Sequence, residues 1–376
     1  MAEGSNLRVP LVNLSRQHEE VQDKIQEAFA EILRTSSFIG GPWLDRFEED
    51  FARYCGTRFA LGVSSGTAAL ELSLRACGIG PGDEVLVPSF TFIATAASVS
   101  AVGATPVFVD IDPTSYTLSW ESAEQHITSR TKGMIPVHLY GQAADMGPIT
   151  ELARRKDVIL IEDAAQAQGA QYLGKPMGSW GLATGFSFYP AKNLGAWGDA
   201  GAIITQDEGI ATQVRLLRNH GSSRDKYCHE ITAFNHRLDT LQAAILAIKL
   251  KYLDQWNESR REAAARYMQT LEGLDLVLPM ERPGSKHVYH LFVIRTPRRD
   301  ALRDFLKPKG IDAGLHYPVP LHLQPAYSHL GHRAGDFPFA EQAAREVLSL
   351  PIFPGMTAAE VDCVAEAVRE FFRGTN

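Results

Sequence analysis

The sequence predicts an α/β protein. Its large domain has a mostly parallel seven-stranded sheet flanked by helices, and a smaller α+β domain lies C-terminal to it. Three observations predict this class. Short, nearly continuous apolar segments alternate with helical segments, as in a parallel sheet that is covered on both faces. The length of 376 residues suits one large domain and one small domain. A composition of 45% hydrophobic and 22% charged residues is typical of globular proteins.

Apolar spacing and turn residues define the elements of the first domain. An amphipathic helix is predicted over residues 20–33, where Val21, Ile25, Phe29 and Ile32 share one face, and a second over 44–54. Between the later strands, helices are predicted over 67–76, 93–102 and 149–155. The predicted strands are FALGV (59–63), EVLVP (84–88), PVFVD (106–110), MIPVHL (134–139), DVILIED (157–163), GFSFY (185–189) and AGAIIT (200–205).

A long helix over 241–271 is predicted to link the two domains. After it we expect a strand at 289–295, a helix at 298–307, a loop rich in Pro and His at 316–324, and a terminal helix at 358–372. The resulting division is a large domain over 1–245 and a linking helix with the small domain over 246–376.

An uncharged segment of 25 residues, Val85 to Val109, is long enough to span a bilayer. Its many Ser, Thr, Pro and Gly residues, with Pro88 and Pro106 around a helix-sized interior, instead predict a buried strand, helix and strand. The polar content of the segment indicates a role beyond packing.

The remaining global features favour a cytoplasmic protein that does not bind nucleic acid. The net charge is −7, and no basic cluster is present. None of the four cysteines forms a CxxC pair, which disfavours a zinc ribbon or a disulfide framework. The first twenty residues lack the layout of a signal peptide.

Three motifs carry chemistry. In SSGTAAL a strand ends and a helix begins near Thr67, which creates an anion site or a simple N-cap. In ILIEDAAQ, Glu162 and Asp163 lie at the C-terminal end of a strand, where ligands bind in open sheets. In FYPAKNLGAWGDAG, Lys192 has no charged neighbour between Lys175 and Asp199, and desolvation would make its amine a nucleophile.

An anion cradle, a strand-end acid and a secluded lysine together fit pyridoxal 5'-phosphate. The lysine can form a Schiff base with this cofactor, and the acid can keep the pyridine nitrogen protonated. No strand leads into a GxGxxG, so a nicotinamide oxidoreductase is disfavoured.

The sequence resembles the DegT/StrS family of nucleotide-sugar aminotransferases, which have the aspartate-aminotransferase fold. The resemblance runs from about Pro10 to Phe372. It rests on the stretches SSGTAAL, PSFTFIATA, VHLYGQAADM, IEDAAQAQGA, FSFYPAKNLGAWGDAGAI, FNHRLDTLQAAIL and HYPVPLHLQPAY.

The resemblance implies a role for each matching residue. Lys192 matches the Schiff-base lysine and Asp163 the partner of the pyridinium nitrogen. The other cofactor contacts implied are Gly66, Thr67 and Ser187 at the phosphate, Phe92 stacked on the ring, Gln166 beside the ring hydroxyl, and Asn235 reaching the neighbouring subunit's phosphate. Asn235 therefore implies a homodimer with shared active sites. The chain departs from the family pattern at Ala233-Phe234-Asn235, where Gly-Tyr-Asn is usual, and the local turn is expected to differ.

Substrate contacts are implied at Tyr189, His316 and Tyr317. The proline and leucine neighbours of His316 could equally serve domain packing, with His322 at the surface. No metal site is expected, because the clustered histidines lack acids or cysteines at ligand spacing.

The predicted activity is transfer of the amino group of L-glutamate to a dTDP- or UDP-linked keto-sugar. HYPVPLHLQPAY favours amination at C-3 of a 6-deoxy ketohexose. Amination at C-4 or of a cyclitol remains an alternative. A sugar dehydratase is disfavoured because Lys192 is present, and a non-catalytic regulator because both Lys192 and Asp163 are present.

Overall fold

The computed structural model describes residues 7–222 and 227–374. The helices are α1 (Ser15–Thr35), α2 (Pro42–Cys55), α3 (Gly66–Ala76), α4 (Ala94–Ala101), α5 (Trp120–His126), α6 (Met146–Lys156), α7 (Glu208–Arg218), α8 (Thr240–Lys249), α9 (Leu253–Leu271), α10 (Arg299–Leu306), α11 (Pro338–Glu346) and α12 (Ala358–Arg373). The strands are β1 (Phe59–Val63), β2 (Glu84–Pro88), β3 (Thr105–Val109), β4 (Thr131–Met134), β5 (Ile159–Asp163), β6 (Gln171–Tyr172), β7 (Lys175–Pro176), β8 (Ala183–Ser187), β9 (Gly201–Thr205), β10 (Ser285–Lys286), β11 (Phe292–Arg295) and β12 (Val347–Leu350).

The large sheet confirms the predicted fold class. Its seven strands run in the order β1-β9-β8-β5-β4-β2-β3. Strand β9 is antiparallel to both neighbours, whereas β8, β5, β4, β2 and β3 are parallel along the sheet. The carboxyl ends of β5 and β8 therefore lie at one edge, which is where ligands bind in sheets of this kind. This topology brings Asp163 and Ser187 to the same side of the molecule.

The uncharged segment 85–109 is a strand, a helix and a strand, as predicted. Strands β2 and β3 pair in parallel, with Val85 opposite Pro106, and α4 connects them. Its hydroxyl residues Ser89, Thr91, Thr95 and Ser98 are buried, so they need partners inside the protein.

Several predicted elements differ from those observed. The predicted helix 241–271 is divided by a short 3₁₀ turn, Leu250–Tyr252, between α8 and α9. The predicted strand 134–139 is displaced, because β4 ends at Met134. Pro136 has no N–H to donate to a strand ladder, which explains the interruption. Helix α11 and strand β12 had no counterpart among the predicted elements.

The C-terminal part of the chain builds its own apolar cluster. Strands β11 and β12 pair antiparallel, and α9, α10 and α12 cover them through Tyr267, Leu302 and Val364. The N-terminal segment joins this cluster: Val9 bridges to Ile311, and Arg16 forms an ion pair with Glu360 at 2.8 Å. The division at residue 245 falls inside α8 and stays a prediction.

Within the described residues, none of the helices has both the length and the apolar character needed to cross a membrane.

Candidate active site

Two adjacent acids at the end of β5 have opposite environments. Glu162 is completely buried and accepts hydrogen bonds from His138 Nε2 at 3.0 Å and from Thr184 Oγ1 at 3.2 Å. It also accepts from three backbone N–H groups, those of 178, 180 and 181. Burial alone would raise its pKa, but the hydrogen bond from His138 and the backbone donors hold the pKa below the usual value. Glu162 is therefore an ionised structural anchor.

Asp163 faces the other way and has fewer partners. Its Oδ2 accepts from Thr95 Oγ1 at 2.8 Å, and its Oδ1 accepts from the N–H of Ala165 at 3.1 Å. Burial raises the pKa of Asp163, while these hydrogen bonds and the charge of Lys192 partly oppose that increase. A buried carboxylate with so few hydrogen-bond partners attracts any cationic group that can reach it.

Lys192 lies in the loop after β8, near Asp163. Its side chain is half-buried, and desolvation lowers the pKa of the amine to about 8, while the charge of Asp163 acts in the opposite direction. The backbone N–H of Lys192 donates to the carbonyl of Tyr189 at 2.8 Å, which closes a tight turn. A Cβ at Gly195 would lie 2.2 Å from the Pro190 carbonyl, so the loop requires glycine there.

The start of α3 is packed against the end of β8. Ser65 caps the helix by accepting from the N–H of Ala68 at 3.1 Å, so the motif is an N-cap. The first intrahelical bond joins Ala69 to Ser65, which leaves the N–H groups of Gly66 and Thr67 ahead of it. A Cβ at Gly66 would lie 2.6 Å from Ser187 Cβ. Helix N–H groups and the Ser187 hydroxyl therefore form one cradle that suits an anion.

A group of aromatic and polar side chains makes up another part of the predicted site. Phe92 is 53% exposed, and its ring centroid is 5.7 Å from that of Tyr317. Gln166 donates through Nε2 to the Tyr317 hydroxyl at 3.1 Å and accepts from the N–H of Tyr140 at 2.7 Å. The Tyr140 hydroxyl donates to the carbonyl of His316. Tyr140 thus ties Gln166 to the 316–317 segment.

His316 is neutral at physiological pH. Burial, with a smaller contribution from the charge of Lys192, lowers its pKa to about 4. Its Nδ1 lies 2.8 Å from Ser349 Oγ on β12. The electrostatic effect of Lys192 on this imidazole indicates that the two residues share one environment.

A family model described as the DegT/DnrJ/EryC1/StrS aminotransferase family matches residues 19–369. The chain belongs to this family. The family relation confirms the resemblance on which the sequence analysis relied, and the protein is a pyridoxal phosphate-dependent aminotransferase.

Individual relatives cover nearly the whole chain. It is 48% identical to the dTDP-3-amino-3,4,6-trideoxy-alpha-D-glucose transaminase of Streptomyces venezuelae, over 97% of this chain and 96% of that protein. It is 46% identical to a protein of Geobacillus stearothermophilus named pleiotropic regulatory protein, over 98% and 99%. The crystal structure of S. venezuelae DesV in complex with a ketimine intermediate aligns with a TM-score of 0.96 at 48% identity, covering 98% of this chain and all of that one.

The residues of this DegT/DnrJ/EryC1/StrS member fit pyridoxal phosphate. The backbone N–H groups at the start of α3 beside Ser187, where a Cβ at Gly66 would lie 3.2 Å from Ser187 Oγ, suit the phosphate. Asp163 is a buried carboxylate that can take a protonated ring nitrogen, and Lys192 offers an amine whose lowered pKa favours reaction with an aldehyde. Phe92 presents an exposed ring for stacking.

Two of the predicted site residues, Tyr189 and Asn235, make fewer contacts with the other residues of the predicted site. Tyr189 is 56% exposed, and its backbone carbonyl closes the Lys192 turn. Asn235 lies in a separate groove that it shares with Ser64, Asp199 and Arg237. Ala233 does not adopt a positive φ, so the departure from Gly at that position produces no left-handed strain.

Sequence reasoning missed Thr95 as an organiser of the site, and it left open whether Tyr140 lines the site or packs in the core. The polar content of segment 85–109 signalled Thr95 in general terms, but its partner became visible only in the fold. His322 was expected at the surface as the alternative to a binding role, and that expectation is wrong. Its ring is buried, with Nδ1 2.6 Å from Ser89 Oγ and Nε2 3.3 Å from Glu341. In the part of the chain that the structure describes, no cluster of three or more His, Cys, Asp or Glu could hold a metal ion.

Proposed function

We propose that this aminotransferase moves the amino group of L-glutamate to C-3 of a dTDP- or UDP-linked 6-deoxy keto-sugar. The observation that carries the reaction class is the Lys192 amine, its pKa lowered to about 8, beside the buried Asp163. The name of the S. venezuelae relative, a transaminase for a dTDP-linked 3-amino sugar, supports amination at C-3.

The proposed cofactor contacts are those that the family resemblance implies, and the packing of Gly66 against Ser187 supports them. Gly66 and Thr67 bind the phosphate through backbone N–H groups, assisted by the Ser187 hydroxyl. Phe92 stacks on the ring, and Gln166 hydrogen-bonds at the ring hydroxyl. When bound, the cofactor supplies an electron sink that stabilises negative charge at the carbon bearing the amine.

Asp163 and Lys192 then have separate tasks. Asp163, oriented by Thr95 and the N–H of Ala165, keeps the ring nitrogen protonated. Lys192 would hold the cofactor covalently at rest, and its amine, once displaced by the amino donor, would act as the general base and acid that moves a proton at the α-carbon of the donor. A pKa of about 8 suits an amine that must act as base and then as acid near neutral pH.

Tyr189, His316 and Tyr317 contact the sugar nucleotide in this proposal. Tyr189 is exposed at the mouth of the Lys192 loop. The neutral imidazole of His316 can donate or accept a hydrogen bond without attracting the diphosphate as a cation would.

A product analysis tests the substrate assignment. The enzyme is incubated with L-glutamate and a panel of dTDP- and UDP-linked 3-keto sugars, 4-keto sugars and a free keto-cyclitol. We expect a C-3 amine by NMR and mass spectrometry. Amination confined to C-4 or to the cyclitol would overturn the assignment. Lys192→Ala serves as the control, and turnover by this variant would refute the role of Lys192.

We further propose a homodimer in which Asn235 completes the partner's phosphate site. Phe38 and Ile39 are exposed apolar residues, and Ile39 lines the same groove as Asn235. An exposed apolar patch beside a functional polar residue suits a second copy of the chain. Light scattering should therefore give twice the mass of 41.3 kDa.

A mixing experiment tests the shared site. Lys192→Ala and Asn235→Asp proteins are each nearly inactive alone, the second because its carboxylate repels phosphate. If Asn235 acts across the interface, each mixed dimer contains one site with both native residues, and activity returns after the subunits are exchanged. No recovery after verified exchange would show that Asn235 acts within its own chain.

The proposal extends to a cytoplasmic location. All four cysteines, at positions 55, 77, 228 and 363, are free thiols, as is usual in a reducing compartment. Fractionation of producing cells tests it, and recovery with a secreted fraction would contradict it.

A further inference from the structure

The residue after Lys192, Asn193, is fully buried, and its side-chain amide makes three hydrogen bonds within the protein. Asn193 Nδ2 donates to Asn257 Oδ1 at 2.7 Å and to the Val288 carbonyl at 3.0 Å, and its Oδ1 lies 3.1 Å from His290 Nδ1. The bond to a backbone carbonyl fixes which end of the amide is nitrogen. His290 Nδ1 must then carry the hydrogen that Asn193 Oδ1 accepts. The imidazole is neutral, because burial and the charge of Lys192 hold the pKa of His290 well below its usual value.

Asn257 on α9 extends this contact to the loop that carries Asp163. Its Nδ2 donates to the carbonyl of Gln168 at 2.9 Å. Gln168 in turn donates through Nε2 to the carbonyls of Ser187 at 2.6 Å and Ala165 at 3.2 Å. We call Asn193, Asn257 and Gln168 the amide network. The amide network includes Asn193, the residue after Lys192. It contacts Ser187 at the end of β8 and Ala165, which lies two positions after Asp163.

The backbone is shaped around Asn257. Gly169 has φ of +88°, and a Cβ there would lie 2.6 Å from Asn257 Nδ2 and 2.7 Å from the Tyr54 hydroxyl. Asn257 is 1% exposed, and Asn193 and Gln168 are 0% exposed. Burying amides costs free energy, and here the Gln168 Oε1 atom is buried without a hydrogen-bond partner, so an apolar contact would pack the same space at a lower cost. Amides give fixed directions, which apolar contacts do not.

We propose that Asn257 is a positioning residue: through Asn193 and Gln168 it fixes the loop of Lys192 relative to the loop of Asp163. Asn257 itself touches neither catalytic side chain. It connects two loops from an element outside the large sheet. The inference rests on the proposed function, because it assumes that Lys192 and Asp163 act on one bound cofactor.

The test replaces Asn257 in the holoenzyme. Asn257→Leu has similar size and removes both hydrogen bonds, whereas Asn257→Asp keeps an acceptor for Asn193 and loses the donor to Gln168. The first readout is the pH midpoint of the visible absorbance of the cofactor held by Lys192. The second is the separation of kcat from KM for the keto-sugar, and thermal unfolding is recorded alongside.

A matched control is available on α2, which packs against the same part of α9 through Tyr54. The Tyr54 hydroxyl donates to Asp254 on α9 at 2.7 Å and approaches Gly169, but it makes no bond to the amide network. Tyr54→Phe therefore removes one hydrogen bond at the same junction. It controls for a general loosening of α9.

For both Asn257 variants we expect an upward shift of the absorbance midpoint, by at least about half a pH unit, because water enters the loosened loop and stabilises the protonated nitrogen. We expect kcat to fall at least about tenfold with KM for the sugar within about twofold, as misplacement of a reacting group predicts. Tyr54→Phe should leave the midpoint unchanged. If Asn257→Leu does not fold, Asn257→Asp carries the test.

The inference is overturned if the folded Asn257 variants keep the parental midpoint and kcat, or if Tyr54→Phe shifts the midpoint equally. Failure of the proposed function has a different signature, since Lys192→Ala would then keep the absorbance titration. A parental midpoint in the Asn257 variants, with the titration lost in Lys192→Ala, would reject the inference alone.

Discussion

Two buried lysines of this protein have similar pKa values and different surroundings. Burial lowers the pKa of both Lys192 and Lys249 to about 8. Lys249 on α8 is 0% exposed, and its amine donates to the carbonyl of Gly195 and lies 5.6 Å from the ring centre of Trp256. Lys192 is only half-buried and feels the charge of Asp163.

The difference shows that a lowered pKa does not by itself make a reactive lysine. Lys249 is enclosed by backbone and an indole ring, so no ligand can reach its amine. Lys192 combines a readily deprotonated amine on a partly exposed side chain with the nearby carboxylate of Asp163. Access and an acidic partner therefore separate the chemistry of Lys192 from the structural role of Lys249.

The largest effect should come from substituting Lys192, with substitution of Lys249 as the comparison. Lys192→Ala should lower kcat at least about 10³-fold, because the covalent attachment and the proton carrier are lost together. Steady-state kinetics and loss of the lysine-bound cofactor absorbance measure this. Lys249→Met should keep kcat within about threefold of the parent. Equal losses in both variants would erase the distinction between them.

The acidic partner provides the next test. Asp163→Asn should lower kcat by about 10²- to 10³-fold, because an amide cannot hold the pyridine nitrogen protonated. The half-reaction with glutamate, followed by stopped-flow absorbance, measures it. Glu162→Gln is the neighbouring control. It should chiefly lower the free energy of unfolding, by about 3 kcal/mol, because it breaks a buried, hydrogen-bonded carboxylate. A larger loss of kcat in Glu162→Gln than in Asp163→Asn would reverse the assignment.

Titration of Lys249 should make the free energy of unfolding depend on pH. Burial holds the pKa of Lys249 at about 8 in the folded protein, below the ordinary lysine value of 10.5, so unfolding takes up a proton between those pH values. The free energy of unfolding of the parent should therefore rise from about pH 8 to about pH 10.5, by at most about 3 kcal/mol from this group. Urea unfolding of Lys249→Met should lack that increment.

Lys251→Met is the matched control, since Lys251 is exposed in the adjoining turn. It should retain the parental increase of stability with pH. If Lys249→Met also retains it, then Lys249 is not a buried cation in solution, and the comparison with Lys192 fails.

The smallest effect should sharpen the description of Asp163. Thr95→Val removes the hydrogen bond of 2.8 Å to Asp163 Oδ2. Because that bond favours the ionised form, its loss should raise the pKa of Asp163 further and cost about 1 kcal/mol, or roughly fivefold in kcat. The pH profile of kcat should show the decline at its acid limb. Ser100→Ala is the control, because it removes a hydroxyl of the same helix that donates to the carbonyl of Ala96, and an equal effect there would contradict the role of Thr95.

Much of the fold was predictable because apolar strands and helical spacing are local signals. The ends of β5 and β8 follow from such patterns, and they bring Asp163 and Ser187 to one edge. Lys192 was identifiable by its isolation from other charges. The roles of the individual site residues remain predictions.

What could not be predicted depends on contacts distant in sequence. Thr95 reaches Asp163 across 68 positions, and Tyr140 reaches His316 across 176. The choice between Glu162 and Asp163 was open from the residues alone, because the direction of each side chain is set by the donors around 178–181. Helix α11 and strand β12 were missed because their apolar runs are short and lie far in sequence from the other predicted strands.

The attachment of the N-terminal segment to the C-terminal part has a consequence for synthesis on the ribosome. Val9 forms a backbone bridge with Ile311, and Arg16 forms an ion pair with Glu360. Arg16 precedes Glu360 by 344 positions, so this segment acquires its partners only after a long further stretch of chain has been translated. The large sheet can begin to assemble earlier, so docking of this segment is a late step of cotranslational folding, and a truncated nascent chain lacks it.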